Sequence, residues 1–165
     1  MRKIIVFASL VLLLMSCKKN SDDNGAIAAN SIQANIGGTT YNFNVSAKAI
    51  KMDGTGYHFI SIAGADANSA TANVIGIIAN SNVAVTTGTY NENDAVNFGS
   101  LSYSVNISSG NTYTDAGSTT NPVIVTITSL TGTSVQGTFK GDIYLGSSTS
   151  GTKKVVADGK FNVPF

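Results

Sequence analysis

Four side chains that carry oxygen ligands follow one another at Asn91, Glu92, Asn93 and Asp94. Carboxylate and amide oxygens are the ligands that calcium takes from proteins, and they also hydrogen-bond the polar groups of organic ligands. Their spacing matches no calcium loop that we can name, and Asn and Asp are ordinary residues of β-turns. We therefore predict no metal site and treat the four as candidate contacts to an organic ligand.

Two tyrosines, Tyr90 and Tyr113, stand beside polar segments and could stack on the face of a sugar ring. The chain has no tryptophan, the larger aromatic platform. A tyrosine at a strand end also commonly packs its ring and leaves its hydroxyl in water. The predicted ligand-binding set is Tyr90, Asn91, Glu92, Asn93, Asp94 and Tyr113.

Catalytic chemistry has few candidates in this chain. Its one histidine, His58, lies among apolar residues, and no Gly-x-Ser-x-Gly elbow accompanies it, whereas nucleophilic catalysis needs a nucleophile, a base and a group that orients the base. A zinc site needs several converging ligands, and the chain offers one histidine and one cysteine. We predict that the protein is not an enzyme, that it has no cofactor, and that His58 is a partly buried or edge residue with a local hydrogen bond.

The first residues have the pattern of an export signal. Arg2 and Lys3 precede an apolar run over residues 4–15, which is too short to span a bilayer, and the small residue Ser16 precedes Cys17. The segment resembles a bacterial lipoprotein signal. That resemblance implies that the Cys17 thiol is acylated, becomes the first mature residue and holds the protein at the outer membrane, facing the periplasm or the cell surface.

The division of the chain follows from this signal. We predict a cleaved signal peptide over residues 1–16, a polar, flexible tether over residues 17–30 and a single domain over residues 31–165. Removing Arg2 and Lys3 from the ten basic residues leaves eight against nine acidic ones, so no basic face for nucleic acid is expected. With the only cysteine acylated, no disulfide can form within the chain.

From Ser31 onward the apolar residues alternate with a period of two between Gly-rich and Asn-rich turns, which predicts roughly nine antiparallel strands. No helix is expected, and only 12% of residues are charged. The predicted fold is an all-β antiparallel sandwich, or a barrel-like sandwich. Its strands are expected at residues 32–36, 41–49, 57–63, 71–79, 83–90, 98–107, 123–130, 135–145 and 155–165.

Three local expectations follow from the same pattern. The nearly continuous apolar run at residues 74–78 predicts a central strand covered on both faces. Residues 108–121 are expected to form a long loop pinned by Tyr113. Asp142 is out of phase with the apolar residues around it, which predicts a side chain in solvent beside Lys140.

Several short segments together resemble a known domain. They are residues 32–43 (IQANIGGTTYNF), 87–90 (TGTY), 123–130, 137–139 (GTF) and 158–162 (DGKFN). In this order they are similar to an uncharacterised domain of many small lipoproteins of Bacteroidetes-type bacteria. The resemblance implies an all-β lipoprotein of unknown function and supplies no catalytic or binding residue.

Two functions are consistent with these features. The first is a non-catalytic, lipid-anchored binding module of the cell envelope that presents loops on a rigid β-domain to a glycan, a peptide or a protein. The alternative is a structural component that assembles with a partner through an exposed strand edge or an apolar patch.

Overall fold

A computed structural model describes residues 27–165, in which eleven strands form one antiparallel sheet curled into a half-barrel. The predicted all-β antiparallel fold is confirmed. The predicted signal peptide and Cys17 lie outside the described residues. The strands are β1 Ser31–Ile36, β2 Thr39–Asn42, β3 Val45–Gly54, β4 Tyr57–Ala65, β5 Val74–Ser81, β6 Gly88–Asn91, β7 Asn97–Val105, β8 Asn111–Thr114, β9 Ile124–Leu130, β10 Ser134–Leu145 and β11 Lys153–Pro164.

The order of strands across the sheet is β2-β1-β11-β10-β8-β7-β5-β4-β3, and β9 pairs with both β10 and β6. Every pairing is antiparallel. Most consecutive strands are hairpin partners, which short turns of Gly, Asn and Asp allow. The pairing of strands farthest apart in the chain joins β1 to the C-terminal strand β11.

The core fills the inside of the curl. Alternate residues of each strand point inward, so cross-strand pairs such as Ile62 with Ile77 bury both side chains. The largest fully buried side chains include Phe43, Phe139 and Phe161. Together they form one continuous apolar cluster that involves most of the strands.

Three strand boundaries differ from the prediction. The segment expected at residues 41–49 is divided into β2 and β3, and the segment at 83–90 contains only the short strand β6. The predicted loop at 108–121 contains β8, which pairs with β7 and β10. Tyr113 in β8 packs its ring on Tyr103, with ring centroids 6.4 Å apart, so it does hold this segment on the core.

The strand at residues 74–78 is central, as predicted, but the expectation that both faces are covered is wrong. Ile75 and Ile77 point into the core, whereas Ile78 on the opposite face is 38% exposed. The sheet is a single curled layer, and within residues 27–165 no second sheet or helix covers its outer face at this strand. An apolar run therefore does not require two covered faces.

The prediction that Asp142 faces solvent is also wrong, because its side chain is only 1% exposed. Gly141 and Ile143 keep the alternation and are buried, so Asp142 does lie on the opposite face of β10, but Asn121 and Lys153 cover it there. One carboxylate oxygen accepts a hydrogen bond from Asn121 Nδ2 at 2.7 Å. The other lies 2.9 Å from Lys153 Nζ, and this hydrogen bond raises the pKa of Lys153.

Candidate functional site

The loop at residues 91–94 connects β6 to β7, and its glutamate points into the protein. Glu92 is 8% exposed. Its Oε1 accepts the backbone N–H of Val123 at 2.9 Å, and its Oε2 accepts the N–H of Gly117 at 3.1 Å. Glu92 therefore fastens the segment that precedes β9 onto the loop that precedes β7.

The other three side chains of the loop are also engaged within the protein. Asn93 Nδ2 donates to the carbonyl of Ser118 at 2.9 Å, and the amide oxygen of Asn91 accepts the N–H of Asn93. Asp94 accepts the backbone N–H groups of Val96 and Asn97, which lowers its pKa below the ordinary value. These contacts shape the turn, and binding of an external ligand by this loop stays a prediction.

The two candidate tyrosines lie in different surroundings. Tyr90 is 3% exposed, and its hydroxyl donates to the carbonyl of Thr86 at 2.8 Å, so its ring offers no open face for a sugar. Tyr113 is half-buried, and Lys154 Nζ already lies 5.1 Å from its ring centroid. Stacking of a sugar on either tyrosine ring would require the present contacts of that ring to be broken.

Replacing Glu92 tests the role of this carboxylate. Glu92→Ala leaves two backbone N–H groups without their charged acceptor, and hydrogen bonds to charged groups contribute about 1.5–3 kcal/mol each. We expect the free energy of unfolding to fall by about 3 kcal/mol, measured by urea denaturation followed by circular dichroism. Asn93→Ala, which removes one exposed side chain of the same turn, should have less than half that effect; equal effects would contradict the assigned role.

His58 lies beside a carboxylate on the hairpin of β3 and β4. Its Nδ1 is 2.9 Å from Asp53 Oδ1, and Lys51 Nζ is 3.1 Å from Asp53 Oδ2. The hydrogen bond with His58 is the main cause that lowers the pKa of Asp53, and the bond with Lys51 adds to it. The predicted local hydrogen bond of His58 is thus present.

A hydroxyl occurs in the same cross-strand row, because His58 pairs with Ser81 on β5. The Ser81 hydroxyl donates to Asn97 Oδ1 at 3.0 Å, and Ser81 is only 2% exposed. A nucleophile would have to give its proton to the imidazole and remain accessible. The row therefore has the residue types of a catalytic triad, but the Ser81 hydroxyl donates to Asn97 and not to His58. That the protein is not an enzyme stays a prediction.

A groove on the outer face of the sheet was not anticipated from the sequence. It has a volume of about 470 Å³ and crosses four strands: β6, β9, β10 and β11. Its principal polar side chains are Thr89, Thr126, Thr138, Lys140, Asp158 and Lys160.

The register of the sheet produces this groove. Thr89 pairs with Thr126, Thr126 with Thr138, and Thr138 with Lys160, so three hydroxyls and one ammonium stand in one row across the sheet. Neighbouring strands place such side chains ~4.8 Å apart. Asp158 has a φ of 51°, a left-handed conformation that Asp tolerates, and it interrupts the regular strand beside the row.

The pattern that marks the groove is present in the sequence but ambiguous. Thr126 alternates with the buried Val125 and Ile127, and Thr138 precedes the buried Phe139, so each threonine is recognisable as outward-facing. That the threonines share one row depends on pairing between strands far apart in the chain. No local pattern specifies that pairing.

Comparisons with protein-family models, with curated proteins and with solved structures find no match for this chain. Within residues 27–165, no helix is long and apolar enough to cross a membrane. The same residues contain no group of three or more His, Cys, Asp or Glu side chains placed to hold a metal ion. The resemblance to lipoproteins, with the anchor and the location that it implies, therefore stays a prediction.

Proposed function

We propose that this protein is a lipid-anchored, non-catalytic binding module of the cell envelope, and that its groove of threonines and lysines binds a carboxylate-bearing glycan. The observation that carries the proposal is the row of hydroxyls from Thr89 to Thr138, which ends at Lys160. A hydroxyl both donates and accepts hydrogen bonds, as the hydroxyls of a sugar do. The row thus presents repeated partners to a polyhydroxyl chain lying across the strands.

The charge of the groove favours an acidic ligand. Lys140 and Lys160 contribute two positive charges and Asp158 one negative charge, which leaves a net charge of +1 within the groove. Lys140 and Asp158 are exposed. An ammonium group attracts a carboxylate without requiring a fixed geometry, which suits a flexible polysaccharide.

The anchor belongs to the same proposal and is supported by the sequence alone. The basic start, the apolar run and Ser16-Cys17 resemble a lipoprotein signal, and residues 17–30 separate the acylated cysteine from β1. An outer-membrane protein that faces the periplasm or the cell surface meets polysaccharides there. The groove lies on the side wall of the half-barrel, so anchoring at the N-terminus leaves it open.

A polysaccharide panel tests the groove. We expect the acylated protein in detergent micelles to bind alginate and polygalacturonate but not neutral dextran, in a manner weakened by salt. The double substitution Lys140→Ala with Lys160→Ala should weaken this binding at least tenfold, and Thr126→Val should weaken it less. Isothermal titration calorimetry provides the measurement.

The matched control is Lys48→Ala, an exposed lysine on β3 outside the groove. It should leave the affinity unchanged. Equal weakening by Lys48→Ala would assign the binding to general charge attraction, and equal binding of dextran would exclude recognition of a carboxylate. Absence of binding to either acidic polymer would overturn the proposed ligand class.

A further inference from the structure

The described chain begins at one end of the half-barrel, which we call the tether end. Asn162 Nδ2 donates to the carbonyl of Ile27 at 3.1 Å, and Ser31 pairs with the same Asn162. Phe165 follows shortly and donates its N–H to the carbonyl of Thr133 at 3.1 Å. The N-terminal segment, the C-terminal residue and the turn between β9 and β10 therefore lie together.

The tips of other hairpins surround the same end. A cavity of about 510 Å³ is lined on one side by residues 49–51 of β3 and on the other by Thr131, Gly132 and Phe165, so the β3–β4 hairpin runs alongside the C-terminal residue. The start of β4 pairs with the end of β5, and the end of β5 with the start of β7. Asn82 N–H donates to the carbonyl of Val96 just beyond that pairing.

Exposed hydrophobic side chains are concentrated at the tether end. Of the nine large ones in residues 27–165, four lie elsewhere: Ile50 and Ile78 in one cross-strand row on the outer wall, and Ile107 and Val155 toward the opposite end. The other five belong to the hairpins and termini just described. They are Met52, Tyr57, Val83, Val96 and Phe165, with exposed fractions between 38% and 65%.

This distribution differs from that of isolated surface hydrophobics, which need no explanation. The five side chains come from three segments, namely the β3–β4 hairpin, the connection between β5 and β7, and the C-terminus. They share one end of the molecule, as hydrophobic side chains that touch a surface together would. Tyr57 adds an amphipathic ring, which suits the boundary between an apolar and an aqueous phase. The nearby ammonium group of Lys51 is paired with Asp53, so this end does not require an anionic surface.

We infer that the tether end rests on the lipid bilayer, with these five side chains at the level of the headgroups. The inference builds on the proposed acylation of Cys17. Ten residue steps separate Cys17 from Ile27, which span at most about 35 Å even when fully extended. The acyl chains therefore keep this end within that distance of the membrane.

The bilayer accounts for the apolar turns better than a protein partner does. A lipid surface accepts side chains from scattered tips without shape complementarity, and lipid contact strengthens when a covalent anchor already supplies most of the binding. Seating this end on the membrane also leaves the groove on the side wall directed toward solvent. The anchor and the groove then act on different sides of the same domain.

Fluorescence quenching by brominated lipids tests the inference. The acylated protein carries one added cysteine, labelled with the environment-sensitive dye NBD, in each of the variants Met52→Cys, Val83→Cys and Val155→Cys. All three positions are exposed, and Val155 is the matched control. On phosphatidylcholine vesicles that contain dibrominated acyl chains, we expect quenching at positions 52 and 83 to be at least threefold stronger than at position 155.

The possible outcomes distinguish the contact of the tether end with the bilayer from the acyl anchor. Equal quenching at the three positions of vesicle-bound protein would overturn the bilayer contact while leaving the anchor intact. The labels at positions 52 and 83 could instead be shielded from solvent in detergent, where no bilayer is present. If the protein then also sediments as a dimer, the surface would be assigned to a second copy of the chain. A mass that lacks acyl groups would overturn the proposed anchor, and the inference with it.

Discussion

Gly137→Ala should lower the free energy of unfolding by about 3 kcal/mol, at the upper end of the effects of overpacking. A Cβ at this position would lie 2.5 Å from Cζ of Phe161 and would also meet the carbonyl oxygen of Thr126. The backbone contact cannot be relieved by a change of rotamer. The ring of Phe161 lies within the core and is only 1% exposed, so it has little room to move.

The same arrangement occurs two pairs further along the two strands, with the glycine and the phenylalanine exchanged between them. Phe161 pairs with Gly137, and Phe139 pairs with Gly159, so each ring covers the glycine of the other strand. The two rings stack with centroids 6.4 Å apart. These glycines are therefore parts of the packing, and their replacement acts through steric conflict between β10 and the strands beside it.

Gly132→Ala is the matched control, because a Cβ there has no atom within 4 Å. It should change stability by less than 0.5 kcal/mol, the usual range for surface substitutions. Thermal and urea denaturation followed by circular dichroism measure both variants. Similar losses of stability in the two variants would show that the effect arises from the backbone freedom of glycine rather than from steric conflict with the ring of Phe161.

Alternation predicted the inward side of most strands, because a half-buried antiparallel sheet imposes a period of two on its sequence. Val135, Gly137 and Phe139 alternate within the strand expected at residues 135–145, and all are buried. The rule fails where other segments cover the second face of a strand. Asp142 lies opposite Gly141 and Ile143, as alternation predicts, but Asn121 and Lys153 cover that face.

The candidate site was harder to predict, since its parts depend on contacts between distant segments. The polar run at residues 91–94 marks a turn correctly, but nothing near Glu92 in the sequence identifies Gly117 and Val123 as its partners. The threonine row likewise requires the register of β6 on β9 and of β9 on β10. Both features come from tertiary pairing, which a single sequence specifies only weakly.

Cys17→Ala should remove most of the protein from the membrane fraction, with at least a tenfold fall in the membrane-bound share. Burial of acyl chains contributes about 0.8 kcal/mol for each CH₂ group, far more than a few exposed side chains can supply. Fractionation of cells, followed by mass spectrometry of the N-terminal peptide, measures both the location and the modification.

Ser16→Ala is the matched control, because it keeps a small residue before the cleavage point and leaves the thiol in place. It should be processed and retained as the natural chain is. Normal membrane retention of Cys17→Ala would contradict acylation at this thiol. The Cys17→Ala protein should also keep a weak binding to vesicles, and this binding should disappear when Met52→Ser and Val83→Ser are added. That result would separate the two membrane contacts: the anchor would supply the affinity, and the tether end would supply the orientation.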